Sequence, residues 1–263
     1  MKQWLLKLIQ ATLRRLPYGL GRALLGLWAE SLAKREPEEA LRSLLQLQSD
    51  LDNWINQAAV RYDDGVHVKH RLTRYHDFFV ERIQPGEQVL DLGCGKGELA
   101  YDLATRAGAI VTGIDLNEQS LTFAREHFHH DRLVFQHGNA LALDCSQSFD
   151  TIVLSNVLEH IEVRVDFLKS LQAHLQPKRF LIRVPAIDRH WSVPLRQELG
   201  LFYFSDITHY TEYTQESLTV ELAASGLAID EIIVNWGEFW TSASAALEMP
   251  AVVQAKIESL SSL

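Results

Sequence analysis

Apolar positions recur along this chain at two different spacings, and the change from one to the other divides it. Over residues 2–16, Trp4, Leu5, Leu8, Ile9 and Leu13 fall on one side of a helix. Pro17 and the glycines at 19 and 21 interrupt that pattern, which resumes over residues 22–34. Pro37 then opens a third helix, with Glu38 and Glu39 in the first turn where the helix dipole favours acids. Leu41, Leu44, Leu45, Leu51, Trp54 and Ile55 carry it to about Val60. Asp63-Asp64-Gly65 reads as a turn, and residues 67–83 as a helix leading into the rest of the chain. From there short apolar runs alternate with helical patterns. Strands are predicted at 87–92, 109–115, 132–137, 149–154, 179–184 and 228–235, and helices at 97–107, 117–129, 163–175 and 214–225. Strands separated by helices require crossover connections, hence a mostly parallel sheet.

Composition narrows the class. With 47% hydrophobic residues, a chain of 263 residues has enough apolar surface for a large core. Its two cysteines, Cys94 and Cys145, form neither a disulfide framework nor a zinc-type cluster, which suits a reducing cytoplasm. The net charge of −9 is uneven: residues 1–29 hold five basic side chains and no acid, leaving 20 basic against 34 acidic groups elsewhere. So acidic a body argues against generic binding to nucleic-acid phosphates. No apolar run reaches the roughly 18 residues of a membrane span, and Lys7 breaks the first one too early for a signal peptide. The basic, Trp4-bearing segment 1–28 suits either an anionic membrane surface or docking on protein.

Candidate chemistry lies at the strand ends. Val89-Leu90-Asp91-Leu92 runs into Gly93-Cys94-Gly95-Lys96-Gly97 and then a helix, and a glycine turn there lets a ligand approach the backbone. The second strand ends at Asp115, 20 residues after Gly95 and followed by Leu116, where a carboxylate suits two ribose hydroxyls. Gly138-Asn139-Ala140 follows the third strand, and the Asn139 amide suits an adenine edge. The fourth strand runs into Ser155-Asn156-Val157-Leu158-Glu159-His160. A dinucleotide fold would share the ribose acid, but Asp91 ahead of the turn would repel a pyrophosphate, whereas it supports a cationic amino-acid portion.

These four ordered motifs resemble the class I S-adenosylmethionine-dependent methyltransferases, of the methyltransferase type 11/12-like kind, over residues 66–240. The resemblance implies S-adenosylmethionine as cofactor, with Asp91, Gly93, Cys94, Gly95 and Gly97 around its methionyl part. It also implies Asp115 and Leu116 at the ribose, Asn139 and Ala140 at adenine, and Ser155 and Tyr75 beside them. The family more often has aspartate where this chain has Asn139. Metal-using relatives that act on quinone precursors or RNA termini resemble the Glu159-His160 pair. They carry a further glutamate where this chain has Asn156, so no metal is expected here.

For methyl transfer to a hydroxyl, a base must take the proton, and His160 and His209 are the candidates. Trp191, Phe202, Tyr203, Phe204, Tyr210 and Tyr213 surround His209 in sequence and suit an acceptor pocket or a packed lid. His67, His70 and Arg74 would share one face of the entry helix and suit an anion or solvent; Lys96 and Arg183 carry the same ambiguity. The segment Lys69–His76 also resembles methyltransferases of bacterial surface-glycan pathways. The expectation is a doubly wound, mostly parallel seven-stranded sheet over residues 63–245, with a helical extension at 1–62 and a helix at 246–263. Its function would be O-methylation of a small molecule or lipid-linked saccharide, in the cytoplasm or on the inner membrane face. The alternatives are an RNA methyltransferase and a non-catalytic cofactor-binding scaffold.

Overall fold

The computed structural model describes residues 17–142 and 147–246. The expected helices at 2–16 and 246–263 lie outside the described residues, Ala246 excepted. The chain divides into two compact units, one of residues up to His67 with Glu198–Leu201, the other of the remainder. Of the first unit, α1 (Tyr18–Arg35) and α2 (Pro37–Tyr62) are described; Pro37 opens α2 as expected, with Glu38 and Glu39 in its first turn.

The second unit holds a seven-stranded sheet. Its strands are β1 (Gln88–Leu92), β2 (Ile110–Asp115), β3 (Leu133–His137), β4 (Thr151–Ser155), β5 (Arg179–Pro185), β6 (Leu227–Asn235) and β7 (Glu238–Ala245), in the order 3-2-1-4-5-7-6. Strands β1 to β5 pair in parallel, and β7 runs antiparallel to both β5 and β6. This is the doubly wound, mostly parallel sheet that the alternating pattern implied. The strand order reverses direction between β1 and β4, and in open α/β sheets ligands lodge at the carboxyl ends beside such a reversal.

The central strands are apolar on both faces because both are covered. In β1, Leu90 and Leu92 join Ile152 and Leu154 of β4 in one core cluster, while Val89 joins Val153 and Leu181 in the other. Asp91 shares the second face by strand alternation, which sends its side chain among Tyr75, Leu99 and their neighbours. Helices α5 (Glu98–Thr105), α6 (Glu118–His127), α7 (Arg164–Leu175) and α9 (Gln215–Ala224) begin and end within a few residues of their expected bounds.

Three expectations need correction. Residues 67–83 are not one helix: α3 (Lys69–Thr73) ends at Arg74, which is left-handed at φ 52°, and α4 (His76–Val80) starts afresh. His67, His70 and Arg74 therefore do not share a face. His67 contacts Asn56, and Arg74 pairs with Asp77. Short helix α8 (Ser192–Glu198) was not anticipated. Nor was β7 located, although seven strands were expected. A two-residue turn, Trp236-Gly237 with φ 53° and 74°, folds it back on β6. Its middle, Thr241-Ser242-Ala243-Ser244, lacks the bulky alternation that marks most strands because it is squeezed between β5 and β6.

Two glycines of the β1–α5 turn test local geometry separately. A Cβ at Gly97 (φ 87°) would meet Phe135 Cζ at 2.5 Å, whereas at Gly95 (φ 55°) it would meet nothing within 4 Å. Gly97→Ala is expected to cost about 2 kcal/mol or more, from backbone strain plus overpacking, and Gly95→Ala about 1 kcal/mol from strain alone. Urea denaturation of both variants checks the ranking.

Candidate active site

The parallel register brings the carboxyl ends of β1, β2 and β4 together. Gly93 and Cys94 donate their N–H groups to the Ile114 carbonyl at 2.8 and 3.0 Å, and Gly95 N–H donates to Asp115 Oδ2 at 2.8 Å. Asp115 Oδ1 accepts from Asn117 N–H at 2.7 Å. Each carboxylate oxygen keeps a second acceptor position, so Asp115 both fixes the turn and stays able to receive hydroxyl donors. Leu116 beside it is exposed. Asn139, also exposed, accepts Leu141 N–H on its Oδ1 at 3.0 Å, which leaves its amide N–H₂ as a donor. Ala140 is half-buried and packs against the core.

Beneath the glycine turn is a cavity of about 170 Å³ that takes in Asp91, Gly93, Cys94, Gly95, Ser155 and Tyr75 of the expected residues, together with His70, Lys96, Glu98 and Leu99. Gly95 is the open glycine there. Gly93 and Gly97 are required instead by close packing, against Val157 and Phe135. Cys94 is buried and its Sγ lies 3.0 Å from where a Gly113 Cβ would sit. Burial and nearby Asp91 push its thiol pKa up, so it is a packed apolar group, not a nucleophile.

Asp91 is 1% exposed, and its Oδ2 has no hydrogen-bond partner among the described residues. Burial, with the charges of Asp115 and Glu98, pushes its pKa up to about 8. An orphaned buried carboxylate beside an open glycine is what a cationic amino-acid ligand would complete. The residues present thus fit S-adenosylmethionine: Asp91 for its ammonium, Asp115 for ribose hydroxyls and Asn139 for adenine.

A second constellation lies past the end of β4. Residues Leu158–His160 form a single 3₁₀ turn. The His160 and His209 rings meet edge to face with centroids 4.7 Å apart. Thr208 Oγ1 gives its hydrogen to Asp206 Oδ1 at 2.6 Å and lies 3.0 Å from His160 Nδ1, so that nitrogen is the donor and Nε2 keeps a lone pair. Burial, then the neighbouring His209, lowers the His160 pKa and favours the neutral ring. His209 Nδ1 lies 3.0 Å from Glu212 Oε1. Glu212 is buried and further held by Ser205 Oγ at 2.6 Å and by Arg189.

Sequence reasoning missed Glu212, although its spacing of three residues from His209 was a usable signal. It also missed the third member of a possible cation site. Ligand atoms of Glu159, His160 and His209 lie within 4.8 Å of one another, one more residue than the pair on which metal had been set aside. Glu159 is fully buried with both oxygens unpartnered among the described residues, and burial raises its pKa to about 7. Arg183, expected as an anion contact or a solvated group, is instead 3% exposed. Its guanidinium lies 3.8 Å over the Tyr75 ring, and its Nε donates to Asn156 Oδ1 at 2.7 Å and forms an ion pair with Glu238 at 3.1 Å. Of the aromatics near His209, Tyr213 is buried in the core and bonds Glu221 at 2.6 Å, while Trp191, Phe202 and Tyr210 are exposed.

The fold, a seven-stranded sheet in the order 3-2-1-4-5-7-6 with a glycine turn after β1 and an acid ending β2, is that of the class I S-adenosylmethionine-dependent methyltransferases. Residues 83–217 match the family described as "Methyltransferase domain", and the chain belongs to that family. It is 32% identical over 132 residues to the mitochondrial ubiquinone biosynthesis O-methyltransferase of Schizosaccharomyces pombe, covering 46% of this chain and 48% of that one. It is 32% identical over 143 residues to the ubiquinone biosynthesis O-methyltransferase of Actinobacillus pleuropneumoniae, covering 49% and 61%. The chain therefore spans about half to three fifths of these relatives. Among solved structures, the magnesium protoporphyrin IX methyltransferase of Synechocystis, with bound S-adenosylhomocysteine, aligns at TM-score 0.54 and 20% identity over 69% of this chain and 85% of that one. A putative methyltransferase complex from Haloferax volcanii aligns at 0.56 and 17% over 72% and 95%. At such identities the likeness is one of fold.

Asp91 has a folded-state pKa above its unfolded one, so its ionisation opposes folding. That penalty is absent well below the unfolded value and grows as pH rises toward 8. Asp91→Asn is expected to raise Tm by about 4 °C or more at pH 8 and by less at pH 5, while weakening S-adenosylhomocysteine binding. Thermal melts at the two pH values, with calorimetric titration, check both halves.

Proposed function

We infer that the protein methylates a hydroxyl of a small molecule, with His160 and His209 as the proton-accepting pair. The observation that carries this is the pair itself. Two imidazoles touch, and each has its Nδ1 engaged by a hydroxyl or carboxylate, which fixes the ring and leaves the proton-accepting role to Nε2. Bound S-adenosylmethionine supplies a methyl group already activated on a sulfonium. The protein's own tasks are to place the acceptor oxygen and to take its proton. The acceptor O–H loses its proton to an imidazole Nε2, and Glu212 stabilises the imidazolium when His209 is the base. Asp91 would hold the ammonium end, Asp115 the ribose and Asn139 adenine. The cofactor's donor end would then lie near Ser155, which precedes the histidine turn by a few residues.

The names of the curated relatives, O-methyltransferases of ubiquinone biosynthesis, favour a small hydroxylated acceptor over a glycan. The acidic body disfavours RNA. Among the described residues no helix is long and apolar enough to cross a membrane. Leu20, Leu24, Leu27 and Trp28 are nonetheless exposed along α1 at spacings of four, three and one, and no residue of α1 is buried. An apolar stripe of that kind supports peripheral contact with a bilayer, where a lipophilic acceptor would dissolve.

His160→Ala and His209→Ala are each expected to lower kcat about 100-fold or more while leaving S-adenosylhomocysteine affinity within about threefold. Turnover of a catechol acceptor is expected to persist in chelator. Loss in chelator with recovery on adding a divalent cation would transfer the role of the Glu159–His160–His209 group to a metal. Co-sedimentation with anionic vesicles should fall in Leu24→Glu/Trp28→Glu; an unchanged soluble fraction would remove the membrane contact.

A further inference from the structure

Strand β5 runs Phe180-Leu181-Ile182-Arg183-Val184, and an arginine inside so apolar and covered a strand needs a reason. In the sheet Arg183 lies between Ser155 of β4 and Trp240 of β7. Its charge is answered by Glu238, to which Trp240 Nε1–H also donates at 3.0 Å. The Tyr75 ring covers one face of the guanidinium. Burying and pairing a charge in this way brings little net stability, so the arginine is accounted for by what it holds.

What it holds is Asn156, and it does so twice. Asn156 N–H donates to the Arg183 carbonyl at 2.8 Å, and Arg183 Nε donates to Asn156 Oδ1 at 2.7 Å. Backbone and side chain of one residue are thus fixed from one neighbour. Asn156 is left-handed, with φ 57°, a region that asparagine enters more readily than most residues but still against a steric penalty. That conformation turns the chain off the end of β4. It lays Val157 against Gly93, where a Cβ would meet Val157 Cγ2 at 2.7 Å. Leu158 and Glu159 then turn inward and are fully buried, and His160 emerges to meet His209 and Thr208. The far end of the turn is tied by Tyr210 N–H, which donates to the Glu159 carbonyl at 2.8 Å.

We propose that Arg183 is a positioning residue: by holding Asn156 in its left-handed conformation, it sets the turn that places His160 against His209 and Thr208. The use of that turn in catalysis rests on the reading of the histidine pair as the proton acceptor. The placement of the ring does not.

Two readouts keep these apart. Ring-nitrogen NMR of isotopically labelled histidines reports which nitrogen of His160 carries the hydrogen, and turnover of a catechol acceptor reports the chemistry. In wild type the hydrogen is expected on Nδ1, facing Thr208. Arg183→Met should lose that single tautomer and lower kcat about 30-fold or more, with S-adenosylhomocysteine affinity within about threefold. Arg183→Lys keeps the charge near Glu238 but not the planar fork, and should behave as Arg183→Met does. Adding Asn156→Gly to Arg183→Met should restore the tautomer and about tenfold in kcat, because glycine takes a positive φ without being held. An arginine that only stabilised the fold would not be rescued in this way. Asn156→Ala and Asn156→Gly alone both remove the amide and leave the Arg183–Glu238 pair in place, which guards against a misfolded Arg183 variant. The alanine, which resists a positive φ, should lose the tautomer, and the glycine should keep it. A wild-type His160 signal in Arg183→Met, no recovery with Asn156→Gly, or equal spectra for the two single Asn156 variants would overturn the proposal. Altered tautomers with unchanged turnover would instead remove the catalytic role of the histidine pair, while its placement by Arg183 stands.

Discussion

A single carboxylate joins the two loops on which the adenosyl rim depends. Asp115, the last residue of β2, accepts Gly95 N–H on one oxygen and Asn117 N–H on the other. The first bond locks the glycine turn after β1, and the second sets the start of α6, whose cap is completed by the Asn117 side chain. Parallel pairing makes this possible, because the β1–β2 register runs to Leu92 opposite Ile114, one residue before Asp115. Without that register the turn would have no neighbour to fix it, and Asp91, Gly95 and Asp115 would not share an edge. Asp115 is thus a structural tie whose remaining acceptor positions stay open at the same edge.

The same edge concentrates uncompensated polarity. Asp91 Oδ2, both oxygens of Glu159 and Nη1 of Arg183 are buried without a hydrogen-bond partner among the described residues. By contrast, buried Glu212 has Arg189, His209 and Ser205, and half-buried Glu221 has Arg164 and Tyr213. Unsatisfied buried groups cost stability and so accumulate where a ligand completes them. Their positions trace a path from the glycine turn, through Arg183 stacked on Tyr75, to the histidine pair beyond β4.

Much of this was readable in the sequence because it is local. Strand, turn and helix follow each other within about a dozen residues at Asp91–Glu98 and Asp115–Glu118, and the residue types at the junctions state their geometry. What was not readable depends on long-range packing. Nothing local in Lys69–Val80 announces the left-handed Arg74, so one helix was expected where two stand, and with it went the shared face of His67, His70 and Arg74. Strand β7 follows Phe239 and Trp240, which enter the two core clusters, with the small run Thr241–Ser244, and so lacks the extended bulky alternation that marks a strand in sequence. The meeting of His160 with His209, 49 positions apart, and the burial of Arg183 at 3% exposure belong to the tertiary structure alone.

The central claim is that the ends of β1, β2 and β3 form one adenosyl rim. Hydrogen–deuterium exchange with and without saturating S-adenosylhomocysteine tests it most directly. Ligand-dependent protection is expected at Gly93–Gly97, Asp115–Asn117 and Asn139–Leu141 together, with none along β6. Binding accompanied by protection of only one of these segments, or of none, would contradict it.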